Sequence, residues 1–180
     1  PSSLGFSSTR EAQTGPLSEC LRDTNREAAH KETYAEAKQK QEAETDGSLS
    51  TQTWGIIPKI RELDSFLRDH NEARGTIRES HPEVCFWAFA GEPMKYSKTS
   101  KPAHAFWERV ETLSDIDPEI CDHLYQVGTS DLGGSPSNDD LIDAFALALT
   151  AQGELATLPE NPEEDEQGLS MEIVYRAQSS

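Results

Sequence analysis

DDLIDAFALALTA, residues 139–151, is the stretch on which the fold turns. From Leu141 to Ala151 it is apolar on nearly every face, the pattern of a helix buried in a core rather than laid along a surface. Asn138 stands immediately before it as the expected cap. One charge, Asp143, lies inside the apolar run. Burying a lone carboxylate is expensive unless it is paired, hydrogen-bonded or bound to a metal. Asp140 lies three residues earlier and shares its helical face. Two arrangements account for these acids. In one, Asp140 and Asp143 form half of a divalent-metal site. In the other, Asp139 and Asp140 favour the helix dipole while Asp143 meets an arginine.

Upstream, ESHPEVCFWAFAG (79–91) is the second informative block. Residues 76–80 are expected to form a strand. Pro82 then opens a short buried helix over 82–90, with Gly91 just past its end, because Pro would interrupt a central ladder. On a strand, Glu79 and His81 share a face, and Glu83 falls in the first turn of the helix. A strand end meeting a helix start is a frequent place for chemistry in α/β proteins. The structural alternative has His81 capping the helix and Glu83 complementing its dipole.

Further helices are expected over about 103–114, with Phe106, Val110 and Leu113 on one face, and from Asp117-Pro118 to about Tyr125. Ile56, Ile60, Leu63 and Leu67, with Ile57 alongside, mark a helix whose first turn would contain Pro58. Residues 17–45 have helix-forming composition but barely an apolar stripe, and read as an exposed helix or helix pair ending near residues 46–47. Residues 1–16 and 153–168 read as loops, and MEIVYR (171–176) as a closing strand. The three Trp residues read as core or rim, and the isolated His30, His70, His104 and His123 as surface. The loop EPMKYSKTSKP (92–102) is the most basic stretch and could touch phosphate through Lys95, Lys98 and Lys101, or simply be solvated.

Composition bounds the function. Of 180 residues, 33 are Asp or Glu and 16 are Lys or Arg, a net charge of −17. Such a surface repels phosphate, so non-specific nucleic-acid binding is disfavoured. The acids are spread along the chain and only seven residues are Lys, a balance that suits an organism with molar internal salt. No apolar run is long enough for a transmembrane helix, so no membrane association is expected. Cys20, Cys85 and Cys121 are odd in number and widely spaced, which fits a reduced, cytoplasmic protein without a disulfide framework.

Taken in order, QTWGIIPKIRELD (52–64), ESHPEVCFWAFAGEPMKYSKTS (79–100), DDLIDAFALALTA (139–151) and LPENPEEDEQGLSMEIVY (158–175) resemble the family known as domain of unknown function 429, whose members are described as predicted RNase H-like nucleases. PSSLGFSSTREA (1–12) is similar to the segment that follows that family's second acidic strand. The resemblance implies an α/β fold of RNase H-like type, a mixed five-stranded sheet with helices on both faces. It implies phosphodiester hydrolysis with Mg²⁺ or Mn²⁺, with nucleic acid as the partner. By position, Glu79 or Glu83 would match the acid after a late core strand, and Asp140 and Asp143 the paired acids of the last helix. The implied metal set is Asp140, Asp143 and Glu79, with His81, Lys95 and Lys98 as substrate contacts. On this reading residues 17–176 form a partial RNase H-like domain. Residues 17–70 are a helical insertion, 75–151 carry a core strand and helices, 169–176 are the C-terminal strand and 177–180 a tail. The glycine-flanked Asp and the D-x-P-x-G strand of the family have no counterpart here. The first strands are therefore expected to be missing, and the chain as written to be weak or inactive. The alternative is a non-catalytic RNase H-like module that binds a partner.

Overall fold

The computed structural model describes residues 26–45, 47–134 and 136–178. These residues form a mixed α/β arrangement of seven α-helices, one 3-10 turn and a two-stranded antiparallel sheet. They divide into two compact units. One comprises Arg78–Glu163 and residues 170–178; the other comprises residues 26–77 and Glu164–Leu169. The expected loop at 1–16 and the start of the helical segment at 17–25 lie outside the described residues.

The unit of residues 26–77 is helical. It contains α1 (Arg26–Ala29), α2 (Tyr34–Glu44), α3 (Thr51–Asp69) and the 3-10 turn Asn71–Ala73. α2 begins at a capping box, in which Thr33 and Glu36 bond reciprocally, and so satisfies backbone donors that a first turn leaves unpaired. The core is small: Ala29, Ala37, Leu49 and Ile57, with Tyr34, Trp54 and Ile60 packed against it. Arg61 donates to the carbonyls of Ala29 and Lys31, which have no partner further along α1. Arg26 binds Asp64 (2.8 Å) and Asp165 (2.5 Å).

Two expectations for α3 are corrected. Ser50 caps it by accepting from Thr53 N–H, so the helix starts at Thr51 and Pro58 falls in its interior rather than its first turn. The buried direction passes through Ile57, which is fully enclosed, whereas Ile56 and Leu63 are exposed. Of the spaced positions, Ile60 packs against the core beside Ile57 and Leu67 is half-buried, so the packed face is turned from the spaced stripe toward Ile57 and Ile60.

The second unit holds the larger core. α4 (Pro82–Ala90), α5 (Pro102–Ser114), α6 (Ile120–Gly128) and α7 (Asn138–Ala151) enclose Cys85, Phe86, Val110, Leu113, Ile120, Ile142, Ala146 and Leu149. Full burial of a side chain the size of Phe86 or Leu113 contributes about 1.5–3 kcal/mol. α4 starts with Pro82 at its first position and ends at Gly91, whose φ of 74° only glycine adopts freely. α7 is less enclosed than its apolar run suggests. Ile142, Ala146, Leu149 and Thr150 are buried, and the small residues Ala144, Ala148 and Ala151 tolerate the exposed side. Its cap is Ser137, one residue before the expected Asn138. α6 also starts later than expected: the Asp117 carboxylate accepts from Glu119 N–H (3.0 Å), and a tight turn precedes the helix. Trp54 and Trp87 are half-buried, but Trp107 is exposed, against the expectation of core or rim.

The sheet consists of β1 (Leu155–Leu158) and β2 (Ile173–Arg176), with Leu155 opposite Arg176 and Leu158 opposite Ile173. The closing strand was expected; β1 was not, since residues 153–168 read as loop. The strand expected over 76–80 does not form. Residues 78–80 run beside β2 and receive one backbone bond, from Val174 N–H to Glu79 O (2.8 Å). The Ser80 hydroxyl, not a backbone amide, donates to the Val174 carbonyl (2.8 Å), which ends the pairing there. A five-stranded mixed sheet is not present among the described residues.

Candidate functional site

Charged side chains from α4, the loop 91–101, α5 and α7 converge on one centre. Glu83, in the first turn of α4, accepts from Arg109 of α5: Nη2 reaches Oε2 at 2.6 Å and Nε reaches Oε1 at 3.3 Å. Arg109 is almost fully buried, and its Nη1 also donates to the carbonyls of Ala105 (3.0 Å) and Tyr96 (3.4 Å). Lys98 reaches in from the loop. Its Nζ lies 3.0 Å from Glu83 Oε1 and 2.7 and 2.8 Å from the two oxygens of Asp143 on α7. Two acids and two bases thus share one half-buried centre.

Burial shapes the titration of each member. It opposes ionisation of Glu83, but the bonds from Arg109 and Lys98 outweigh it and hold that carboxyl below its ordinary range. For Lys98, burial works against the ammonium, and Asp143 and Glu83 overcome it, so the ammonium holds its proton more tightly than usual. For Asp143, burial prevails over the pull of Lys98 and raises the carboxyl. His81 caps α4, its Nδ1 accepting from Glu83 N–H at 3.2 Å. This requires a neutral ring, and burial lowers the His81 pKa accordingly.

The acids of the implied metal set are not brought together. Asp140 is exposed and committed to a capping box at the start of α7, where its Oδ2 accepts from Ser137 N–H and Oγ–H at 2.8 Å each. The Ser137 backbone and side-chain bonds hold its carboxyl below its ordinary value. Glu79 is exposed in the extended segment before α4. Lys95 is exposed and pairs with Glu92 (3.2 Å), while its backbone N–H donates to Glu108 (2.8 Å). Of the expected site residues, Glu83, Asp143, Lys98 and His81 meet; Glu79, Asp140 and Lys95 lie outside the cluster.

Arg109 was not anticipated. A signal for it existed, since it stands on the same apolar face as Phe106 and Leu113, three residues from one and four from the other. That is the argument that singled out Asp143. A cleft of about 390 Å³ lies elsewhere, lined by Phe106, Leu124, Leu132 and Leu141 among others, and no member of the ion cluster faces it.

The acids of the cluster are two, and both are already bonded to cations. Among the described residues no group of three or more His, Cys, Asp or Glu side chains is placed to hold a metal. Mg²⁺, however, is commonly held by one or two carboxylates, with water and substrate phosphate completing the shell. Here Glu83 is held through both oxygens by Arg109 and shares Lys98 with Asp143.

Fold and site together define a mixed α/β protein with an ion cluster between its first and last core helices. The chain matches the family described as Protein of unknown function (DUF429) over residues 11–164, and it belongs to that family. Neither curated proteins nor solved structures gave a significant match. No helix among the described residues is long and apolar enough to cross a membrane.

Proposed function

We propose that this chain is an RNase H-like domain whose hydrolysis of phosphodiester bonds in nucleic acid, with Mg²⁺ or Mn²⁺ taken by Glu83 and Asp143, is at most weak, in the cytoplasm of a salt-adapted cell. One observation carries the reading: three carboxylate oxygens from α4 and α7 converge on a single cationic centre at 2.7–3.0 Å. Its second support is the collinear order of the family motifs. When bound, the ion would supply Lewis-acid stabilisation of the phosphate and a more acidic water. The protein's own residues do the rest. Arg109 grips both oxygens of Glu83 and fixes its orientation. His81 anchors the start of α4, and with it the position of Glu83. Lys98 bridges the two acids and would meet a substrate phosphate there. The charge of −17 gives no long-range attraction to nucleic acid, so binding would depend on these short-range contacts.

The test is incubation of the full chain with Mn²⁺ and labelled single-stranded RNA, single-stranded DNA and an RNA–DNA hybrid. Cleavage that is lost in Asp143→Asn and Glu83→Gln but kept in Asp140→Asn is the expected result. Cleavage unchanged in Asp143→Asn refutes the assignment.

A second reading, a non-catalytic binding module on the same fold, is favoured by the charge balance of the cluster: Glu83 and Asp143 are matched by Arg109 and Lys98. It predicts no hydrolysis and no Mn²⁺-dependent thermal shift.

A further inference from the structure

We infer that Tyr96, Lys101, His104 and Trp107 form a stacking surface for the unpaired bases of a single-stranded nucleic acid. The inference rests on the reading of nucleic acid as partner and deepens it by naming the class, single strand over duplex. The surface is built by the loop 91–101 and the start of α5. The rings of Tyr96 and His104 lie 5.1 Å apart, and Lys101 Nζ sits 5.3 Å from the centre of the Tyr96 ring. His104 and Trp107 are three residues apart on α5 and so are neighbours on its surface. Trp107 is 64% exposed, with its ring edge-on to Phe106. The loop is held in place from behind: Tyr96 N–H donates to Glu108 (3.1 Å), and Tyr96 O accepts from Arg109 (3.4 Å). The rings are therefore positioned before any ligand arrives, which lowers the entropic cost of binding.

Charge selects the occupant. Although 33 acids are spread along the chain, none occurs from Pro93 to Trp107, a stretch that carries three lysines and His104. Lys95 is paired with Glu92, and Lys98 with Glu83 and Asp143. Lys101 forms no ion pair with any described residue, so its ammonium is available to a backbone phosphate. Glu108, beside Trp107, is occupied by the backbone N–H groups of Lys95 and Tyr96, and Glu111, one turn further along α5, marks where the surface ends. Aromatic faces joined to a cation are the chemistry that holds single strands, because every base offers a π-face and every link a phosphate. A duplex keeps those faces inside its own stack. A basic protein, which the net charge of −17 would attract overall, is repelled by Lys101 at this face. Stacking also suits the salt reading, since it persists in molar salt where steering by Lys and Arg is screened.

The test is binding by the full chain in EDTA, without metal, to fluorescein-labelled oligo(dT), oligo(rU) and an oligo(dA)·oligo(dT) duplex, read by anisotropy. Both single strands should bind more tightly than the duplex. Trp107→Ala should weaken single-strand binding about tenfold, and Trp107→Phe should keep most of it. Lys101→Gln should reduce the slope of log K against log salt by about 0.7, one phosphate contact on a single strand. The parent protein alone gives a second readout, quenching of tryptophan fluorescence by the strands, which decides the matter if a variant fails to fold. No single-strand binding by the parent protein, duplex bound as tightly as single strands, or equal binding by the parent protein and Trp107→Ala overturns the stacking surface. So does self-association that Trp107→Ala abolishes, which would give this face to a second copy of the chain. The outcome is separate from that of the hydrolysis reading. Strands bound here but left uncut with Mn²⁺ refute hydrolysis and keep the surface; strands cut with Mn²⁺ equally well by the parent protein and Trp107→Ala, with no binding difference in EDTA, do the reverse.

Discussion

Lys98 Nζ and the Asp143 carboxylate are 45 residues apart in the chain and meet through two hydrogen bonds, at 2.7 and 2.8 Å. This pair ties the loop between α4 and α5 to α7, the last core helix. The charge inside an apolar helix is thus paired, by a lysine where one of the two arrangements open to the sequence had an arginine.

Arg109 should matter more to stability than any exposed ion pair in the protein. Removing one partner of a largely buried pair leaves the other uncompensated, typically at about 3–5 kcal/mol. Glu83 retains some exposure and keeps Lys98, so the lower end applies. Arg109→Met is expected to cost about 3 kcal/mol by urea denaturation. The double variant Arg109→Met/Glu83→Met should recover part of that loss, because it removes the stranded carboxylate. A single-variant loss below about 1 kcal/mol would place Arg109 among ordinary surface pairs.

Acidification should destabilise the protein in two steps. The His81 pKa is lowered from 6.5, so its contribution is present above that value and lost as pH falls through the depressed one. Glu83 is lowered from 4.5, and its contribution is lost further down in the same direction. Asp143 is raised from 3.8; its proton-linked contribution has the opposite sign and offsets part of the second step. His81→Asn supplies a cap that does not titrate. The melting temperature of this variant should be flatter between pH 7 and pH 5 than that of the parent protein, with the steeper loss at lower pH retained. Equal slopes in the two proteins would remove His81 from the account.

Gly91→Ala isolates a local signal. An added Cβ would meet only Gln178 Nε2 at 3.5 Å, an ordinary contact, so the cost is conformational. A φ of 74° penalises an L-residue by about 1–2 kcal/mol. Gly91→Asn should cost less than Gly91→Ala, since Asn tolerates the left-handed region. Thermal melts that rank the two variants in the other order would contradict this.

These cases mark what the chain discloses locally and what it does not. The bounds of α4 were legible because Pro82 and Gly91 carry their conformational preferences with them. The need of Asp143 for a partner was legible because desolvation acts wherever a charge enters an apolar face. Which group meets it was not, since Lys98 is on a loop 45 residues away and only the packed structure brings it there. β1 was hidden for a related reason. LATL has no strong strand signature between acidic and Pro-containing neighbours, and its extended form depends on pairing with Ile173–Arg176. In α3 the period was readable but the buried face was not, because Ile57 and its neighbours Ile56 and Ile60 are equally apolar, and only tertiary contact chooses between them.

Salt should stabilise the fold. With 33 acids against 16 Lys and Arg, self-repulsion opposes the compact state at low ionic strength. At 1 M salt the screening length falls to about 3 Å, which removes most of that repulsion while the half-buried Glu83–Lys98–Asp143 contacts are screened less. The melting temperature is expected to rise from low to molar KCl. A fall over that range would contradict the salt-adapted reading of the composition.

Asp140 and Asp143 share a helix and should behave as opposites. Asp140 is an exposed capping residue bonded to Ser137; Asp143 is half-buried and bonded to Lys98. Asp140→Asn should lower the melting temperature slightly and leave Mn²⁺ binding unchanged. Ser137→Ala, which removes the other half of the same box, should cost about 1 kcal/mol. Asp143→Asn removes the charge opposite Lys98 and a carboxylate oxygen from the proposed ion centre. Isothermal titration with Mn²⁺ should therefore lose its signal in Asp143→Asn alone. If Asp140→Asn loses Mn²⁺ binding to the same degree, the capping box does not describe how Asp140 is used in solution, and the acid pair of α7 acts as one unit after all.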